Sequence, residues 1–441
     1  MFVSGSALFA LAGWIRFACT GQLTVDNNYC SAPVSYIICA LVAASVTLLS
    51  FASLRLLRHD APVVSPMVRA ISIVLLIACP PLLSNDVFSY LYYGEFAFAD
   101  PYSSSIIAFA DENTFYSYIS PVYKDTLCVY GPLSLLACML PAIAGNVWIS
   151  LLLYKLVNVC FYLLLLRRAK PYPRLLPVIF SSVLLLEIVA QGHNDIIAIY
   201  FIFAAIDAAL HRKSVTSAMF GLFMLLSKIL YFPFLFICGI LLFRHSIRKG
   251  LLWLGLTISG IAAWYFVHPA SLTGPLATGH SLRTSGSWAD LMFEFIKVLQ
   301  PGWENAPLLT RLFQAVALLS CLVIFLLFLR KRKLPADELP VLVSLFIIPY
   351  FVFFIHRLFP WYMVFTIPLF LMNRHLDVKW LIAGMAVFVL QGLVHQFPSG
   401  TAPATVIIVA TTMATLVLLT IWAFLSVKNT LNYRGKLIPG G

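Results

Sequence analysis

The topology of the chain turns on residues Val215–Phe243, VTSAMFGLFMLLSKILYFPFLFICGILLF. The run is apolar except for Lys228, and basic residues flank it on both sides: His211–Lys213 before it and Arg244–Lys249 after it. Lys and Arg concentrate in cytoplasmic loops, so a run with basic clusters at both ends leaves the membrane on the side where it entered. The spacing therefore predicts two half-length helices that bend near Lys228–Pro233, the form of the broken helices that line sites inside membranes.

The same rule orders the rest of the chain. Arg55, Arg58 and His59 mark the inner side, as do Arg167, Arg168, Lys170 and Arg174, then Arg330–Lys333, Asn373–Lys379 and Lys428 to Lys436. Between Gly131 and Arg167 only one crossing is allowed, although two apolar runs lie there. Pro132–Ala144, at about 13 residues, is too short to span and reads as a juxtamembrane or re-entrant helix. A rival topology lets it cross and makes Val215–Phe243 one long span. That rival puts Arg167 to Arg174, Arg212 and Lys213 outside, and it is disfavoured for that reason.

Composition agrees with a membrane protein. Of 441 residues, 61% are hydrophobic and 10% charged, against roughly 25% charged in soluble domains. The net charge of +12 sits in short clusters between apolar runs, not along a phosphate-tracking face, so nucleic acid is not an expected partner. The fold class expected is an all-α polytopic membrane protein of about 13–14 transmembrane helices, with both termini cytoplasmic. Residues 1–441 read as one membrane-embedded unit, with outer loops over 84–131 and 269–307. Met1–Thr20 has no basic leader region and reads as a first span, not a cleaved signal. The nine cysteines show no metal-ligand spacing. Cys30 and Cys128 fall in loops read as outer, which leaves a disulfide between them open.

The loop Ser84–Gly131 is the polar island of the chain. It holds Asp86, Glu95, Asp100, Asp111, Glu112 and Asp125, with Lys124 as its only basic residue, and it is dense in tyrosine. Asp86 follows an apolar run directly. A carboxylate at such an interface is partly desolvated, which helps it accept a proton from a hydroxyl; it equally suits the cap of a helix beginning at Val87. Asp100-Pro101-Tyr102 and Tyr130-Gly131-Pro132 read as turns. Their tyrosines, with Tyr90, could also line a groove that stacks on a sugar.

Three further groups carry charge where charge is expensive. Gln191-Gly192-His193-Asn194-Asp195 sits between apolar runs, with Glu187 just before it. A turn needs the Gly and an Asn or Asp, but not His193. Lys228 suits a phosphate held as a point charge, or a pairing with Glu187 or Asp195. Lys155 is a similar buried lysine with less context. His356 and Arg357 precede Phe359-Pro360-Trp361-Tyr362; they read as a second cationic contact, and Trp361 and Tyr362 as groove residues or members of the interfacial aromatic belt. There is no Walker A loop, GxGxxG, HExxH or DxD pair. No cofactor or metal is expected, and a donor that needs no nucleotide site is the natural choice for a transferase.

Taken in order, Asp86-Val87-Phe88-Ser89-Tyr90, Gly94, Asp100-Pro101-Tyr102, Tyr130-Gly131-Pro132-Leu133, Gly192-His193-Asn194-Asp195, Lys228 and Pro360-Trp361-Tyr362 resemble a known set. It is that of the bacterial polyprenyl-phosphate-mannose-dependent α-1,6-mannosyltransferases, in the glycosyltransferase-C superfamily. The likeness covers residues 66–243 well and the remainder loosely. Position 88 is Phe where relatives often have Tyr, and residues 282–288 are only weakly similar.

The resemblance implies a bacterial inner-membrane enzyme that moves a hexose, mannose foremost, from a polyprenyl-phosphate sugar to a glycan or glycolipid acceptor at the outer face. Asp86 matches the acidic residue taken as base. Lys228, His193, Asn194, Asp195, Arg357 and His356 are the expected donor-binding set, and Tyr90, Tyr102, Tyr130, Trp361 and Tyr362 the expected groove. Two other classes remain in play. A transporter or flippase would use the broken helix as a midplane site, and a scaffold subunit would use the polar clusters only to hold helices together.

Overall fold

Residues 183–190, apart from Glu187, and residues 196–206 are apolar around the whole helical circumference, a pattern that requires burial on all sides. In the computed structural model they form the centre of the bundle. The structure describes residues 1–25, 29–57, 64–97, 101–102, 113–124, 126–271, 360–373, 375–398 and 401–437. Among these there is no strand, and the chain is an all-helical polytopic membrane protein.

In chain order the helices are α1 (Phe2–Thr20), α2 (Ala32–Arg55), α3 (Pro66–Ile77), α4 (Asp86–Glu95), α5 (Pro132–Ile143), α6 (Val147–Ala169) and α7 (Leu176–Ile179). A π-helical segment, Val183–Ala190, leads to α8 (Asp195–Leu210). Then come α9 (Ser214–Ser227), α10 (Pro233–His245), α11 (Ile247–Val267), α12 (Thr366–Met372), α13 (Val378–Val389) and α14 (Ala402–Leu437). Among the described residues six helices are long and apolar enough to cross a membrane: α1, α2, α6, α11, Val378–Gln396 within and beyond α13, and Ala402–Thr430 within α14. A seventh span forms if Pro173–Ile179 and Val183–Ala190, bent by 56°, cross as one. The spans expected over 272–359 lie outside the described residues.

Every residue of the π-helical segment is buried, and so is most of α8. Around this post stand α3, α6, α9, α10, α12 and α13. Helices α11 and α14 form the rim and turn large apolar side chains outward, among them Phe266, Val267, Val406 and Phe424. Between helices in lipid there is little hydrophobic drive, so small residues and hydrogen bonds hold the contacts. Gly5 packs on Leu49 while Ser45 Oγ donates to the Gly5 carbonyl at 2.7 Å, which closes the α1–α2 hairpin. Gly94 brings α4 onto α5: a Cβ there would sit 2.6 Å from the Cys138 carbonyl oxygen.

The break in Val215–Phe243 falls where the sequence predicts it. Helix α9 stops at Ser227, Lys228 is extended (φ −159°), and Ile229–Tyr231 makes one 3₁₀ turn before Pro233 opens α10. The Ser227 carbonyl, freed by the break, accepts from the Gly131 N–H and from Ser134 Oγ, each at 2.9 Å. Close approach requires glycine at 131, because a Cβ would lie 2.2 Å from the Leu226 carbonyl oxygen. Helix α5 has 12 residues, about 18 Å at the α-helical rise, short of the ~30 Å hydrocarbon core.

One expectation is corrected. Cys30 pairs with Cys19, not with Cys128, which is a buried free thiol. Cys19 lies in the last turn of α1 and Cys30 precedes α2, so the bond closes their short connection, while Cys128 is buried in the cluster around α4.

Candidate active site

The loop 78–85, between α3 and α4, is pinned by polar side chains from elsewhere. Lys155, buried in α6, donates to the carbonyls of Ile77 (3.5 Å) and Cys79 (2.5 Å), a cation satisfying a helix C-terminus. Gln191 Oε1 accepts from the N–H groups of Leu82 (2.8 Å) and Leu83 (2.9 Å), while Gln396 Nε2 donates to the Leu82 carbonyl at 3.0 Å. Asn85 Oδ1 accepts the Val25 N–H at 2.7 Å. Buried backbone groups need partners, and these contacts fix where the loop ends.

The loop ends on Asp86, the first residue of α4. The helix starts one residue earlier than a cap at 86 would require, so Asn85 takes the cap position and Asp86 lies in the first turn. A helix N-terminus favours a carboxylate there. The Asp86 N–H donates to Ser84 Oγ at 3.1 Å, and its side chain keeps 15% exposure. The rest of α4 is buried from Val87 to Gly94, so the polar island begins inside the protein.

The turn 191–194 brings a histidine to that carboxylate. Gly192 has φ +78°, a conformation that disfavours any side chain, and its carbonyl accepts from Asn158 Nδ2 at 3.0 Å. His193 then lies between two acids. Nδ1 is 3.8 Å from Asp86 Oδ2 and 3.1 Å from the Tyr90 hydroxyl; Nε2 is 3.4 Å from Glu187 Oε2. Burial, and after it the charge of Lys228, hold His193 well below the usual histidine range, so the ring is neutral at pH 7.

On the other side, Lys228 Nζ donates to Asp195 Oδ1 at 2.8 Å, and the Tyr231 hydroxyl donates to the same oxygen at 2.6 Å. Of the two carboxylates that the sequence offers as partners for Lys228, the fold selects Asp195 and gives Glu187 to His193. The ammonium also lies over the rings of Tyr362 (4.7 Å) and Tyr130 (5.8 Å), a cation–π arrangement. Tyr130 joins the two halves: its ring meets Tyr90 edge-on at 5.0 Å, and burial followed by the Asp86 charge pushes its phenol well above the usual range.

The sequence-predicted residues divide by where the fold places them. Asp86, Tyr90, Tyr130, His193, Asp195, Lys228 and Tyr362 converge on one cluster. Tyr102 is at its edge, with its hydroxyl donating to the Tyr130 carbonyl at 2.9 Å and its ring against His268. Asn194 precedes α8; neither atom of its buried side-chain amide has a hydrogen-bond partner among the described residues. Trp361 lies in the 3₁₀ segment Pro360–Phe365, and His356 and Arg357 lie outside the described residues. Tyr231 escaped sequence reasoning; its spacing three residues after Lys228, across a break, was the available signal. Among the described residues no three His, Cys, Asp or Glu side chains form a metal-binding group.

Residues 3–244, more than half of the chain, match the family model of the alpha-(1→6)-mannopyranosyltransferase N-terminal domain. No curated protein and no solved structure matches the chain.

Proposed function

Because the chain belongs to the alpha-(1→6)-mannopyranosyltransferase family, we propose that it moves mannose from a polyprenyl-phosphate donor to a glycan or glycolipid at the outer face of the bacterial cytoplasmic membrane, with Asp86 as general base. The observation that carries the reading is the convergence of one partly exposed carboxylate, Asp86, with a buried cation, Lys228, around Tyr130. Transfer to a hydroxyl needs a base at the nucleophile and positive charge at the leaving phosphate.

The acceptor O–H gives its proton to Asp86 as its oxygen attacks the anomeric carbon. The bond from that carbon to the phosphate oxygen breaks, and the lipid phosphate leaves with the electron pair. One base opposite a good leaving group suits inversion. Lys228, with Arg357 and His356, stabilises the departing phosphate; Asp195 and Tyr231 fix the lysine. Asn194 offers its unpaired amide to a sugar hydroxyl. Tyr90, Tyr102, Tyr130, Trp361 and Tyr362 are assigned to the sugar-binding groove. His193 is assigned to the Asp86 side, on its distances.

The disulfide supports the outer face. Disulfides persist in oxidising compartments, and the Cys19–Cys30 connection carries Val25, whose N–H meets Asn85 beside Asp86. A transporter would also use the break at Lys228, but family membership favours transfer. The test is Asp86→Asn in membranes supplied with labelled polyprenyl-phosphate mannose. Undiminished transfer by a properly inserted variant removes Asp86 as base, and accumulation of donor across proteoliposomes without transfer favours the transporter.

A further inference from the structure

Glu187 is buried beside the site, at 1% exposure, and the transfer chemistry above gives it no task. Its carboxyl faces His193 Nε2 at 3.4 Å, while Nδ1 of the same ring faces Asp86 at 3.8 Å and the Tyr90 hydroxyl at 3.1 Å. These distances constrain the protons. A general base must rest as a carboxylate, and hydrogen on the ring nitrogen facing Asp86 sets a donor toward it while the Tyr90 hydroxyl accepts at 3.1 Å; in the other tautomer Tyr90 would donate to Nδ1 and a lone pair would face the carboxylate. A neutral imidazole has one N–H, which leaves Nε2 as a bare acceptor. The group opposite a bare acceptor must be a donor, and a carboxyl can donate only as the acid.

We infer that Glu187 is a neutral carboxylic acid at physiological pH, and that it locks His193 in the tautomer whose Nδ1–H holds Asp86 in place as an ionised base. The inference rests on Asp86 being the base and names Glu187 as a positioning residue, acting through His193. Burial supports it, since an isolated carboxylate sequestered from water is costly and the acid form is not. The separations of 3.4 and 3.8 Å are long for hydrogen bonds, as is common before substrate closes a site. The neighbouring charges are consistent: Asp86 and Tyr90 from α4 and Glu187 from the π-helical segment are among the groups that lie against His193, and Lys228 and Asp195 form their own pair. Lys228 is thus paired with Asp195, and Lys155 donates to the carbonyls of Ile77 and Cys79, so neither lysine is paired with Glu187.

Two measurements test this. The first uses the unaltered enzyme in detergent with ¹⁵N-labelled histidine, assigned by loss of one signal in His193→Gln. The expected spectrum at neutral pH shows Nδ1 protonated and Nε2 bare; the opposite tautomer overturns the inference. The second compares variants. Glu187→Met, which cannot donate, should lower kcat by about tenfold or more. Glu187→Gln, whose amide N–H can donate to Nε2, should restore much of that loss. Wild type should also lose activity on the alkaline side as Glu187 ionises, and Glu187→Gln should move that limb to higher pH. A merely structural Glu187 would leave the limb in place, and an unmoved limb overturns the proposal. If Asp86→Asn retains activity, the reading beneath fails; if Asp86→Asn is inactive but the tautomer is reversed, only the role of Glu187 fails.

Discussion

Lys228 Nζ lies 2.8 Å from Asp195 Oδ1, and this buried contact ties the break between α9 and α10 to the first turn of α8. An extended residue in mid-membrane is tolerated only where protein or a cavity surrounds it. The lysine that breaks the helix is the same residue that a central carboxylate fixes in position.

Breaking that pair from one side leaves a buried charge uncompensated, which costs about 3–5 kcal/mol. Lys228→Met and Asp195→Leu should each lower the melting temperature in detergent sharply. The double variant should be more stable than the sum of the two losses, because no lone charge remains. Additive losses in that cycle would show that the contact contributes no coupling.

Asp86→Asn should keep the fold and lose chemistry. The side chain is partly exposed and Asn is isosteric, so the melting temperature should change little. Removal of a general base should lower kcat by about 10²–10⁴-fold. Single-turnover transfer from labelled donor, with donor binding measured separately, checks that the loss is in kcat and not in affinity.

Gly94→Ala tests the α4–α5 contact. The new methyl would sit 2.6 Å from the Cys138 carbonyl oxygen, and backbone cannot yield as a side-chain tip can. Overpacking of this kind costs about 1–3 kcal/mol, and since α4 carries Asp86, activity should fall with stability. Thermal unfolding and transfer rates on one preparation make the comparison.

His193 gives stability a pH dependence with a defined sign. Its folded-state pKa is depressed below the ordinary 6.5, so the unfolded chain binds the proton more readily. The associated stability is fully present above about pH 6.5 and is lost as pH falls from there toward the folded value. Melting temperatures should drop on acidification through that window, and His193→Gln should flatten the drop. An equal drop in the variant would assign it to other groups.

The Cys19–Cys30 bond should form in native membranes, with Cys128 remaining a free thiol. Non-reducing peptide mapping reads this directly. For residues 11 apart the chain-entropy estimate is about 3 kcal/mol, so Cys19→Ser should lower the melting temperature without touching the site chemistry. A Cys30–Cys128 linkage would contradict the structure.

Apolar run lengths and basic clusters by themselves determined the helical membrane fold, and Lys228 with Pro233 inside one run determined where a helix must break. Those are local facts: an uninterrupted apolar segment must satisfy its own backbone in lipid, and a lysine and proline within it mark a break. Single residues expensive enough to be noticed, Asp86, His193, Asp195 and Lys228, were legible for the same reason.

Their pairing was not legible. Lys228 could equally have met Glu187 or Asp195, and Cys30 could have met Cys128, because sequence separation carries no information about which faces of a buried π-helical segment and of α8 turn toward one another. Tyr231, Gln191 and Gln396 owe their roles to such juxtapositions, and their residue types alone are unremarked. Only tertiary packing decided that Glu187 stands behind His193 and Asp195 under Lys228, since which two buried groups compensate each other depends on distances of a few ångströms between segments far apart in the chain.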